Sequence, residues 1–125
     1  MISRIYVIQK KKANFIDSYL ISHKFSNEKI LKIAKALTSP ILEEFSIDKF
    51  PKIQNFTYAI EIGFKPGVTD NVSHTVKETV IDLFHLKNNS DFQVYTSKIF
   101  LFSEKKKLED IKKISLSLHV KIHQE

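Results

Sequence analysis

Cysteine is absent from this chain of 125 residues. Disulfides, thiolate metal sites and a cysteine nucleophile are therefore excluded, and a reducing cytoplasm is the expected location. Glycine is scarce: there are two, Gly63 and Gly67. Neither Gly-x-Gly-x-x-Gly nor Gly-Lys-Ser/Thr occurs, so no dinucleotide fingerprint or Walker loop is present. No apolar run approaches the roughly 20 residues needed to span a bilayer. The start, Met1-Ile2-Ser3-Arg4-Ile5, has no long apolar stretch before a small-residue cleavage site. Neither a signal peptide nor a membrane partner is expected. Arginine occurs once, as Arg4, against nineteen lysines. Nucleic-acid readers and phosphate clamps favour the bidentate guanidinium fork. The net charge of +6 thus reads as a solvated basic surface, and no nucleic-acid partner is expected.

What is present suffices for a core. Hydrophobic residues make up 42%, and a chain of this length buries roughly two-thirds of its unfolded surface. One compact domain, or two small modules sharing a core, is expected. Residues 4–9 are β-branched and aromatic and predict a strand. Lys10-Lys11-Lys12 close it with charge that discourages stray pairing. A second strand follows over about 16–23. Ser26 predicts a helix N-cap, with Glu28 favourable to the dipole. Ile30, Leu31, Ile33, Ala34 and Leu37 form that helix's apolar stripe, and Ser39-Pro40 ends it. Residues 41–48 predict a third strand with Phe45 and Ile47 on one face. Lys49 to Asn55, with Pro51, is the linker candidate. It is short, so the pieces it joins should pack together.

The second half has more detail. Phe56 to Phe64 predicts a strand of strong β propensity. Pro66-Gly67 predicts a type II turn, and Asp70 or Thr69 a helix cap. Val72, Val76, Val80, Leu83 and Phe84 form a helical stripe running to about Leu86. A polar turn, Lys87 to Asp91, precedes a long strand from Phe92 to Phe102. Ser103 predicts the cap of a last helix with Leu108, Ile111 and Ile114 inward. Leu116 to Ile122 alternates as a half-buried strand.

Few residues are placed for chemistry. A helix N-terminus such as the one after Asp70 can hold a phosphate, but the Asp70 carboxylate would repel it. His119 and His123 lie about 13 Å apart along a strand, and His74 and His85 roughly 16 Å apart along a helix. His23 stands alone, so no metal site is expected. Asp82 and His85 can pair at i, i+3, with no nucleophile beside them. The ten Phe and four Tyr fall mostly at inward strand positions and make no exposed stacking platform.

The order β-α-β-α-β in the second half matches β-β-α-β in the first if the first half lacks its first helix. Tyr6-Val7-Ile8 parallels Tyr58-Ala59-Ile60, Ser26 parallels Ser103, and Leu31, Ala34 and Leu37 parallel Leu108, Ile111 and Ile114. A half of this size has little core of its own. Two halves placed sheet against sheet, or edge to edge, would supply one.

The run Tyr58-Ala59-Ile60-Glu61-Ile62-Gly63-Phe64-Lys65-Pro66-Gly67-Val68-Thr69-Asp70, with the helix, strand, helix and strand after it, resembles the PurS family. These are small subunits of phosphoribosylformylglycinamidine (FGAM) synthase, a glutamine-dependent enzyme of purine biosynthesis. The family's hallmark is a first strand ending in Lys-Pro-Gly-Val and an Asp that starts the first helix. The whole chain looks like the PurS-like N-terminal domain of longer synthases, in which two such halves imitate a PurS dimer. The first half, residues 1–53, has no Lys-Pro-Gly-Val turn and reads as shortened. Residues 54–125 read as complete. The resemblance implies an α+β fold of two PurS-like halves with antiparallel sheets covered by helices.

It also implies a non-catalytic role. Such a chain bridges the synthetase (PurL-type) and glutaminase (PurQ-type) parts and supports ammonia transfer as FGAR, ATP and glutamine become FGAM, ADP, phosphate and glutamate. It binds no cofactor; ATP and Mg belong to the synthetase part. Assembly contacts are expected at Lys65, Pro66, Gly67, Val68, Thr69 and Asp70, and the tandem halves imply a monomer. The alternative is a small ferredoxin-like regulatory domain that binds a metabolite.

Overall fold

The computed structural model describes residues 1–11, 14–53, 58–64, 70–88, 90–102 and 118–124, the backbone alone at 58, 64 and 118–124. The elements are β1 (Ile2–Gln9), β2 (Phe15–Ser22), α1 (Asn27–Leu37), β3 (Glu43–Ile47), β4 (Tyr58–Phe64), α2 (Asn71–Phe84), β5 (Gln93–Phe102) and β6 (Leu118–Gln124). The protein is α+β. Its strands form one antiparallel sheet in the order β3-β1-β2-β5-β4-β6. The strands before residue 54 and those after it meet edge to edge in this one sheet. The seam is β2 against β5, Phe15–Ser22 facing Gln93–Phe100, with Ser18 opposite Ser97.

Alternation along the strands decides which residues meet the helices. Ile5 and Val7 of β1, Ile21 of β2 and Val94 of β5 share one face. Ile30, Ile33 and Ala34 of α1 and Val76 and Val80 of α2 pack on it, with Phe45 and Ile47 of β3 at its margin. The opposite face buries Tyr6, Ile16, Ala59 and Ile99, against which Phe50 and Ile53 pack. The Tyr6 and Phe50 rings meet edge-on at 5.6 Å. In the described part of the linker stretch, Phe50 and Ile53 thus pack on this face while Lys49 and Lys52 stay exposed.

Local chemistry sets the helix ends. Ser26 Oγ accepts from the Lys29 backbone N–H at 3.3 Å, which makes it the N-cap expected from sequence. At the other end Thr38 Oγ1 donates to the Ala34 carbonyl at 2.7 Å, and Ser39-Pro40 prevents continuation. Two differences from the expected boundaries have physical causes. β3 begins at Glu43, because residues 40–42 form a turn that leaves Ile41 81% and Leu42 67% exposed. α2 stops at Phe84, because His85 adopts the left-handed conformation at φ 53° and the Leu86 N–H returns to the Ile81 carbonyl at 2.9 Å, a helix stop usually built on glycine. The last strand is described over Leu118–Gln124.

The residue-by-residue match between halves is also corrected. Val7 and Ala59, matched in sequence, lie on opposite faces of the sheet. A match that keeps the faces would need an odd shift, since one residue of slip reverses every side chain. The expected helix after Ser103 and the residues before Leu118 lie outside the described residues.

Candidate functional site: the β4–α2 junction and the seam

Of the six residues expected to make assembly contacts, Lys65, Pro66, Gly67, Val68 and Thr69 lie outside the described residues. Asp70 is described, and it does two things. Its Oδ1 accepts from the Ser73 N–H at 2.9 Å, capping α2. Its Oδ2 accepts from Thr96 Oγ1 at 2.7 Å and the Thr96 N–H at 3.3 Å. One carboxylate thus satisfies an orphan donor at the helix start and ties that helix to β5. Both oxygens are engaged, and the end of α2 already carries its negative charge. A bound anion is disfavoured there, as expected.

Beside this junction is a pocket of about 420 Å³ on the helix-bearing face. Tyr19, Ile62, Val72, Thr96, Lys98 and Phe100 are among the residues that line it. Val72, at the start of the α2 stripe, is 53% exposed. Asp17 lies opposite Lys98 in the strand register. Burial raises the Asp17 pKa, Lys98 opposes this, and Glu43 adds to it. Burial, helped by Asp17 and Glu43, pushes the Tyr19 hydroxyl up to about 12. Tyr19 is therefore a neutral hydrogen-bonding group at any working pH.

The opposite face holds the one arginine of the chain. Arg4 on β1 and Glu61 on β4 are separated by two strands, a span of roughly 14 Å. Their side chains nevertheless meet at 2.9 Å across β2 and β5. The strands between present Ser18 and Ser97, opposite one another, and these small side chains leave room above the sheet. Arg4 also reaches Ser18 Oγ at 3.4 Å, and Ser97 Oγ donates to the same Glu61 oxygen at 2.7 Å. The result is a polar ribbon over the seam, with Glu61 buried and Ser18 only 1% exposed. Sequence reasoning singled out none of these four residues. The available signal was a charge interrupting an otherwise apolar strand, at Arg4 and again at Glu61.

The remaining candidates stay apart. His74 Nε2 pairs with Glu78 at 3.0 Å on the exposed side of α2. His85 meets Asp82 through the backbone, its N–H lying 3.5 Å from the Asp82 carbonyl oxygen. Residues His119 and His123 stand opposite Gly63 and Ala59 in the β4–β6 register. Among the described residues no group of three His, Asp or Glu could hold a metal ion, and no helix is long and apolar enough to cross a membrane. Among the described residues the arrangement offers surfaces, a pocket and a locked seam; Ser3 Oγ lies 2.8 Å from His23 Nε2, but both residues are buried. Comparison with protein-family models, with curated proteins and with solved structures finds no match for this chain.

Proposed function

We propose that the chain is a non-catalytic, PurS-like module of FGAM synthase, acting in the cytoplasm in de novo purine biosynthesis. It bridges the PurL-type synthetase and PurQ-type glutaminase parts and supports the path of ammonia between them. Residues 1–53 and 54–125 are its two halves. The observation that carries this reading is the strand order. Three strands from each half meet through β2 and β5, so that β3-β1-β2 and β5-β4-β6 mirror one another about the seam. This is the arrangement a tandem copy of a dimer would take. Asp70 supports it as well, since it caps the helix that follows β4, the role implied by the family's motif. Lys65 to Asp70 remain the proposed contact loop.

The test is reconstitution. Synthetase and glutaminase parts are assayed for glutamine-dependent FGAM formation with and without this chain. The reading expects glutamine-dependent turnover to require it, while ammonia-dependent turnover persists. Equal glutamine-dependent rates with and without the chain would sink the proposal.

The pocket between Tyr19, Val72 and Phe100 favours a second reading, a regulatory domain that binds a metabolite. A thermal-shift screen of nucleotides and amino acids separates the two. A ligand at 100 times its dissociation constant adds roughly 2.7 kcal/mol, a shift that bridging alone does not require.

A further inference from the structure

His23 follows β2 in a position that no assembly role explains. It is 4% exposed, and both ring nitrogens are engaged. The Phe25 backbone N–H donates to Nδ1 at 2.9 Å. Nδ1 is therefore unprotonated, and Nε2 carries the hydrogen it shares with Ser3 Oγ at 2.8 Å. The imidazole stacks on the Phe25 ring at 5.5 Å, 14° from parallel. Phe25 in turn touches Phe84 at the end of α2, at 5.9 Å, and Phe92 just before β5, at 5.4 Å. Phe25 belongs to the first three-strand unit, and Phe84 and Phe92 to the second. The histidine therefore orients the ring that joins the units on the helix-bearing face.

We propose that His23 and Phe25 form a proton-sensitive latch between the two units: neutral His23 holds Phe25 against Phe84 and Phe92, and protonation at Nδ1 releases it. The chemistry is one of hydrogen-bond polarity. A proton on Nδ1 would face the Phe25 N–H, donor against donor, and a bond that orients the ring would become a repulsion. The surrounding charges set the balance. The terminal ammonium of Met1 donates to the His23 carbonyl at 2.8 Å and opposes a second positive charge. Lys29 of α1 lies over the Phe25 and Phe84 rings, and Lys77 of α2 over Phe92. Lys24 is the exposed neighbour in the chain. Asp48, after β3, pulls the other way. Burial and the terminal ammonium lower the His23 pKa against this pull. The unfolded chain then binds the proton more readily, so stability is full above the ordinary histidine value of about 6.5. It is lost as pH falls through the lower folded value.

The test follows the His23 ring by NMR, together with hydrogen exchange of the Phe25 and Phe92 amides corrected for intrinsic rate. Samples run from about pH 8 to about pH 5, in the wild-type chain and in His23→Gln. In the wild type, protection at both amides should fall as pH drops from the ordinary histidine value of about 6.5 towards the lower value at which the folded His23 ring titrates, by about tenfold for each unit its pKa is depressed. The fall should be absent in His23→Gln, whose amide keeps a neutral partner. The proposal is overturned if His23 titrates at its ordinary value with both amides protected throughout, or if His23→Gln loses protection equally. Should His23→Gln fail to fold, the wild-type curves alone decide, because protection that stays unchanged while the His23 ring becomes protonated also overturns it.

Discussion

Asp70 shows how one side chain can serve two elements. A helix cap alone contributes about 1 kcal/mol, and a further hydrogen bond to a partly buried hydroxyl about as much again. Asp70→Ala should therefore cost about 2 kcal/mol in urea unfolding. Thr96→Val should cost less, and the double mutant less than the sum of the two. Additive losses would mean that the Thr96 tie contributes nothing. Asp17 makes an opposite prediction. Its raised pKa means the folded chain binds a proton more tightly than the unfolded chain. Stability is then greatest at low pH and falls as pH rises through the folded value. Asp17→Asn should raise the melting temperature at neutral pH, and the gain should shrink in acid. A variant that melts lower at neutral pH would show that the facing Lys98 outweighs burial.

Among the elements, the ends carried local signals and the pairings did not. Ser26 and Asp70 cap α1 and α2 as their residue types suggest, because a cap depends on a few neighbouring residues. The stop at His85 was hidden, since only glycine or asparagine advertises a left-handed residue. That β2 meets β5 was hidden too. Strand pairing is a long-range choice, and both faces of β2 carry apolar residues. The matching of Val7 with Ala59 failed for a related reason: it rested on residue type, and register depends on which face is covered. Arg4 and Glu61 belong at this scale, because they bind β1 to β4 over the seam. Removing one member of a buried pair strands the other. A quarter of the Arg4 side chain remains exposed, so solvent screens part of that cost. Arg4→Met should lose about 2 kcal/mol, and Arg4→Met with Glu61→Leu less than Arg4→Met alone. If the double variant is the less stable of the two, the ribbon contributes attraction as well as satisfying its own charges.

At the scale of the whole molecule, the mirror order about the seam is the central fact. A half with three strands exposes the edge at β2 or β5, and an exposed edge recruits another strand. Here each covers the other within the same chain. Among the described strands the outer edges are β3, five residues long, and β6. The short β3, with Glu43 and Glu44 on it, is poorly suited to recruiting a second copy. If the tandem halves act as a built-in pair, the isolated chain should run as a monomer of 14.6 kDa in light scattering, independent of concentration. Opening the seam should change this. A proline at Tyr19 or Leu20, within β2, removes a backbone donor from the sheet interior. The chain should then self-associate as concentration rises, because the freed β5 edge seeks a partner. A wild-type dimer would mean that an outer edge or the pocket beside Val72 already recruits a copy, and the tandem halves would not be self-sufficient.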